Sequence, residues 1–374
     1  MITVHARRAL IFGQERANVW ITFGDGVIQD VAAAKPTGPT VVDIGDADVI
    51  PGLIDLHSDC LELRARPRAS MELPLGAALL DLDAEVAMAG ITTHFVCVCI
   101  EDDLGKYRSV KRAIETVGVV EAVAPALRVD HRVHLRVDVT GDGLATTATL
   151  AQSPLVGLLS YMLHLPGLGQ FSDEESWRRY YTTVEGETDV AVAQRLATRK
   201  SRLNRLHDAQ RHVSTVARAH AAVLASHDDD SVDGVQRAVE LGARIAEFPV
   251  NREAAEAASG AGLDVVMGAP NARKGLSHHG NLSAREALEN GWLSVLASDY
   301  HPPSLLAAAY ELADGGISSW AESIALVTEA PARAAGLADR GSIAPGQRAD
   351  LVAVTRRAGM PAVAHLWAAG EEVI

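Results

Sequence analysis

Apolar and polar residues fall into two regimes along this chain. Through the middle, short apolar runs at 92–98, 134–139, 155–161, 223–226, 244–248, 264–267 and 293–297 alternate with longer segments rich in Ala, Glu, Arg and Leu. Runs of that length, bounded by turn residues, predict buried strands, and the segments between them predict helices. Repeated strand–helix units imply a parallel sheet with helices packed on it. A further strand predicted at 54–59 brings the number to about eight, as a (β/α)8 barrel requires. The expected fold class is therefore α/β, a TIM barrel spanning 51–339. The two ends follow another pattern. Short β-like pieces at 9–12, 17–23 and 27–31 are separated by Gly and Asp, and similar pieces recur at 351–354 and 363–367. Residues 1–50 and 340–374 are expected to combine into a small β-sandwich. A charged, helical-looking excursion from 171 to about 213 is expected to form a lid or flank over one strand–helix loop.

Composition narrows the partners. Hydrophobic residues make up 48% of the 374 positions but aromatics only 4%, so Val, Leu, Ala and Ile must build the core. The net charge of −14 argues against a nucleic-acid binder, which needs a basic face. Three cysteines (Cys60, Cys97 and Cys99) make no disulfide framework and suit a reducing compartment. The N-terminus lacks a signal-peptide pattern, and no apolar run is long enough to span a bilayer. The expectation is a cytoplasmic protein with a small-molecule substrate, a phosphorylated compound being one candidate, that contacts neither nucleic acid nor membrane and assembles as a homodimer.

Candidate chemistry gathers at the predicted strand ends, where barrels of this kind place their sites. His57 and Asp59 are two apart, so on a strand they project from one face and offer an imidazole and a carboxylate together. Later runs end at Asp138, His164, His227 and Asp299. Imidazole nitrogens and carboxylate oxygens at one mouth suit zinc, with manganese or iron as alternatives, as one ion or two. Arg64, Arg66 and Arg68 follow the first motif in its loop, where guanidinium forks would suit phosphate oxygens. Arg136 and His301 are further candidate substrate contacts. Arg195, Arg199, Lys200, Arg202 and Arg205 are expected to be solvated surface, and Cys97 and Cys99 buried small hydrophobes.

The order His-x-Asp, strand-end carboxylate, His, His, Asp resembles the amidohydrolase superfamily, in which a β-sandwich built from both termini is also habitual. The resemblance tightens to the α-D-ribose 1-methylphosphonate 5-triphosphate diphosphatases of the carbon–phosphorus lyase pathway. The segments that carry it are Pro51-Gly52-Leu53-Ile54-Asp55-Leu56-His57-Ser58-Asp59, Pro166-Gly167-Leu168-Gly169-Gln170-Phe171, Ala225-Ser226-His227-Asp228-Asp229, Ala246-Glu247-Phe248-Pro249, Ser277-His278-His279-Gly280-Asn281 and Ser298-Asp299-Tyr300-His301-Pro302-Pro303. The resemblance implies a divalent metal centre with His57, Asp59, His164 and His227 as ligands. It further implies that Asp138 bridges, that Asp299 is both ligand and general base, and that His278, His279 and Asn281 contact substrate. It also implies release of diphosphate from a 5-triphosphorylated ribose phosphonate. Four positions depart from the pattern: Cys60 stands where Asn is usual, Leu163 for Asp, Asp138 for Glu, and His301 for an aromatic or apolar residue. Two alternatives stay open, hydrolysis of a cyclic amide, amidine or other C–N bond, and a metal-free scaffold.

Overall fold

The computed structural model describes residues 1–68, 70–101, 108–169, 173–184, 186–275 and 281–374. The chain opens with β1 (Ile2–Ile11), β2 (Gln14–Gly24), β3 (Val27–Ala32), β4 (Thr40–Val42) and β5 (Asp48–Pro51). Eight strands alternating with helices follow: β6 (Leu53–Ser58), β7 (Ile91–Ile100), β8 (Asp130–Asp138), β9 (Val156–Met162), β10 (Val223–His227), β11 (Ile245–Glu247), β12 (Asp264–Gly268) and β13 (Leu293–Ala297). The chain ends with β14 (Leu351–Arg357), β15 (Met360–Ala368) and β16 (Glu371–Glu372).

Strands β6 to β13 pair in sequence order, each parallel to the next. The ring closes between its first and last members. Asp59 N donates to Asp299 O at 2.8 Å, and Asp299 N donates to His57 O at 2.9 Å. All ten residues of β7 are buried, which explains its near-continuous apolar run: a barrel strand faces the interior on one side and the helices on the other. One apolar cluster draws on β6, β7 and β9 to β13 and fills the ring, closed below by alanines of the helix Glu329–Ala334. A larger cluster packs the outer wall of the barrel against its helices.

The two ends of the chain build one mixed sheet in the order β16-β15-β14-β5-β1-β2-β3, with β4 beside β1. It has its own core around Val4, Ile21, Phe23, Leu351 and Trp367. Gly52 hands the chain from this sheet to the barrel. A Cβ there would lie 2.1 Å from Thr92 Oγ1, so only glycine fits. The excursion forms helices Glu174–Arg179 and Asp189–Ser201, packed around Trp177, Tyr181, Val192 and Leu196. Among the described residues no helix is long and apolar enough to cross a membrane.

Candidate metal centre

The strand exits carry the polar residues because alternation puts them there. On β10, β11 and β13 the interior residues Ala225, Ile245 and Ala297 are followed two positions later by His227, Glu247 and Asp299. The chain then turns sharply. Asp228, Phe248 and Asp299 have φ of +58°, +52° and +59°, left-handed conformations that non-glycine residues seldom adopt. All three line one cavity of about 250 Å³, together with His57, Asp59, Arg108, Arg136, His164, His227 and Asn281.

Among the described residues, two groups of ligand-type atoms are made of residues that line this cavity, each within 4.8 Å of one another: His57, Asp59 and Asp299, and His164, His227 and Asp228; a third group, His57, His227 and Glu247, extends behind it. Glu247 stands behind both groups. Its Oε1 accepts from His57 Nδ1 at 2.9 Å and its Oε2 from His227 Nδ1 at 3.2 Å. Both rings then turn their Nε2 lone pairs forward. Between the groups lies Arg136, with Nη1 at 2.9 and 2.7 Å from the two oxygens of Asp59 and Nη2 at 2.8 Å from His227 Nε2. Arg108 pairs with Glu62 at 2.8 Å and approaches Asp59 at 3.5 Å.

The electrostatics follow from burial and these neighbours. Burial pushes Asp299 up to about 6, only partly offset by His57. Asp59 meets the same burial cost, but Arg136 and Arg108 outweigh it and hold the carboxyl well below its usual range. Burial works against the carboxylate of Glu247 too, yet His134, His57 and His227 keep it strongly acidic. Burial lowers His227 and drives His134 down to about 4. Burial raises the Cys97 and Cys99 thiols, so in the metal-free chain both are held in the neutral form.

The donor chemistry fits a divalent cation. His57 Nε2, with its Nδ1 proton committed to Glu247, faces two carboxylates in the first group, a nitrogen-and-oxygen set suited to zinc, manganese or iron. In the second group His164 Nε2 is buried without a hydrogen-bond partner, 3.7 Å from Asp228. A buried polar nitrogen left unpaired is costly, and a cation or a ligand oxygen would satisfy it.

His57, Asp59, His164, His227, Asp299, Arg136 and Asn281 therefore meet at one cavity. Several expected residues do not reach it. Asp138, expected to bridge two ions, accepts from Thr140 N at 2.8 Å and Thr140 Oγ1 at 2.7 Å, and Arg199 Nη2 lies 2.8 Å from its other oxygen. Its charge is already matched, and it is absent from the cavity wall. Arg64 is drawn off to Glu85, while Arg66 and the exposed Arg68 lie in the loop outside the cavity. His301 is exposed and bonds Ser304 Oγ at 2.7 Å. His278 and His279 lie outside the described residues. Arg199, expected at the surface, is buried beneath the centre. Sequence reasoning assigned no role to Glu247 or Arg108. The strand-exit alternation that marks His227 marks Glu247 equally, whereas nothing in its local pattern sets Arg108 apart.

Comparison with known proteins shows the family. The model of the amidohydrolase family matches residues 130–374. The chain is 36% identical over 360 residues to an α-D-ribose 1-methylphosphonate 5-triphosphate diphosphatase of Escherichia coli strain K12, covering 93% of this chain and 94% of that protein. It is 27% identical over 390 residues to an imidazolonepropionase of Deinococcus radiodurans, covering 93% and 90%. Among solved structures, an N-acetyl-D-glucosamine-6-phosphate deacetylase from Mycobacterium smegmatis superposes with a TM-score of 0.67 at 14% identity, covering all of both chains. With the barrel and the terminal sheet in place, and with a family model matching more than half of its length, this chain belongs to the amidohydrolase family of hydrolases.

Proposed function

We propose that this protein is a metal-dependent hydrolase that releases diphosphate from a 5-triphosphorylated ribose 1-phosphonate. The observation that carries the reading is the convergence of two nitrogen-and-oxygen ligand groups on a cavity that also holds two buried guanidinium groups, Arg136 and Arg108. The substrate class is supported by the Escherichia coli relative, aligned over nearly the whole chain. His57, Asp59 and Asp299 would hold a divalent ion, zinc before manganese or iron, and His164, His227 and Asp228 offer a place for a second. Such a cation supplies Lewis acidity and lowers the pKa of water.

This chain's own groups do the remaining work. Asp299, lifted by burial toward neutrality, takes the proton of the attacking water and returns it to the leaving oxygen. The water oxygen bonds to phosphorus, the bridge between the α- and β-phosphoryl groups breaks, and diphosphate leaves. Arg108, held by Glu62, and Arg136, which would release Asp59 and His227 when these hold an ion, meet the charge that builds on the phosphoryl oxygens. The strained exits at Asp228, Phe248 and Asp299 aim side chains across the mouth.

Purified protein loaded in turn with zinc, manganese and iron, and given a ribose 1-phosphonate 5-triphosphate, is expected to form diphosphate and the 5-monophosphate. If none of the loaded forms cleaves a phosphoanhydride, the substrate assignment is wrong. The imidazolonepropionase relative favours a second reading, hydrolysis of a C–N bond. Ring opening or ammonia release in place of diphosphate would select it.

A further inference from the structure

Glu247 ends β11 and is 1% exposed. It reaches two histidines from distant parts of the chain, His57 on β6 and His227 on β10, each through its Nδ1. A third imidazole nearby does not compete. His134 Nδ1 bonds the Leu56 carbonyl at 3.0 Å, so that nitrogen is the donor, and His134 Nε2 accepts from Ser160 Oγ at 2.9 Å. Each oxygen of Glu247 therefore has one imidazole N–H as its hydrogen-bond donor, and neither faces the cavity wall. The two clamped rings lie nearly parallel, 13° apart with centroids at 5.5 Å. Phe248 sets its ring edge-on to both, at 4.9 Å from His57 and 5.5 Å from His227. Its left-handed backbone, φ +52°, brings the phenyl ring back over the imidazoles whose Nδ1 ends Glu247 holds. Adjacent residues on one strand exit thus grip the same two rings, one by charge and one by shape.

We propose that Glu247 is the positioning residue of the centre: its single carboxylate fixes His57 and His227 together as Nδ1–H tautomers, so that both Nε2 lone pairs face the cavity. Carboxylates behind metal-binding imidazoles set the tautomer and raise the basicity of the ligand nitrogen. What is particular here is that one carboxylate serves both groups, so neither ring can change tautomer without releasing the clamp. The consequence for metal affinity rests on the hydrolase reading above. The tautomers do not.

Glutamine is the informative substitution. It is nearly isosteric with glutamate but has one acceptor oxygen, and its other terminus is a donor. In Glu247→Gln one imidazole must therefore lose its Nδ1 acceptor. Long-range ¹⁵N–¹H spectra of the metal-free full chain, assigned with His57→Gln and His227→Gln, read each tautomer directly. Wild type is expected to hold both rings as Nδ1–H. Glu247→Gln is expected to switch one of the two, and Glu247→Asp, which keeps both acceptor oxygens, to retain both. Zinc affinity measured by competition with a chromogenic chelator is expected to fall about 10- to 100-fold in Glu247→Gln. An Nε2–H ring at either position in wild type overturns the proposal and needs no variant to fold. Unchanged tautomers or unchanged zinc affinity in a folded Glu247→Gln also overturn it. A wild-type chain with both tautomers as stated that takes up no ion would sink the hydrolase reading and leave the clamp standing.

Discussion

At the scale of single residues, Asp299 joins two demands in one carboxyl group. It closes the barrel through its backbone and faces the cavity with its side chain. Its folded pKa of about 6 lies above the ordinary 3.8, so in the metal-free chain its ionisation opposes folding. The sign follows: no penalty exists below about pH 4, and it grows as the pH rises through 6. Metal-free Asp299→Asn is therefore expected to gain on wild type by roughly 1–3 kcal/mol between pH 4 and pH 7, read from urea unfolding at the two pH values. The same variant, reloaded, is expected to lose about 10²- to 10⁴-fold in kcat. An equal stability difference at both pH values would mean that the carboxyl has another cationic partner. Asp299 and Asp138 looked alike in the sequence, each at the exit of an apolar run. Alternation reveals which face a side chain takes, not which distant residue meets it there. Asp138 is met by Thr140 and by Arg199, some sixty residues onward, and that pairing has no local signature.

At the scale of elements, the eight barrel strands were legible because burial on both faces writes itself as apolar runs, and their observed limits differ from the expected ones mostly at the ends. The excursion was harder. Its charge suggested solvated helices, yet Val192, Leu196 and Arg199 recur at i, i+4 and i+7 and form the buried stripe of the helix Asp189–Ser201. That spacing was present in the sequence, but a guanidinium on the apolar stripe reads as surface until its partners are known. Arg199 meets Glu101 and Asp138, each at 2.8 Å, and donates to the His164 carbonyl at 3.3 Å. Glu101 in turn lies 3.9 Å from His164 Nδ1. The helix is thus pinned to the floor of the candidate centre by a cation between buried carboxylates. Removing one partner of such a network strands the others, at about 3–5 kcal/mol. Arg199→Met is expected to cost that much in urea unfolding and to speed amide exchange in 189–201 while the barrel strands stay protected. Slow exchange in that segment would show that Trp177, Tyr181, Val192 and Leu196 hold the helix unaided.

At the scale of the whole molecule, the two ends of the chain and the barrel depend on one another. Strand β14 inserts between β5 and β15, so the last residues complete a sheet begun by the first. Asp48 on β5 accepts from Arg8 and from Tyr310 Oη, while Arg8 also lies over the Trp320 ring at 4.3 Å, tying that sheet to barrel helices. Loss of 340–374 would uncover the β5 edge and, by removing Leu351 and Trp367, the core around Val4, Ile21 and Phe23, and is expected to leave little soluble chain when expression is compared with full length. The barrel has a seam of its own. Strands β6 and β13, the first and last of the ring, meet at Asp59 and Asp299, the two carboxylates of the first ligand group. Both acids cluster there because the ring closes there, so a cation held by His57, Asp59 and Asp299 would staple the seam. An ion bound to the folded state at about 100 times its Kd adds about 2.7 kcal/mol of stability. Chelation is therefore expected to lower Tm by several degrees and to speed amide exchange at 53–59 and 297–301 ahead of the other strands. Zinc or manganese added back should reverse both effects. A drop in Tm with exchange spread evenly over the ring would place the ion's contribution elsewhere than the seam, and an unchanged Tm would remove the ion from the folded state's support altogether.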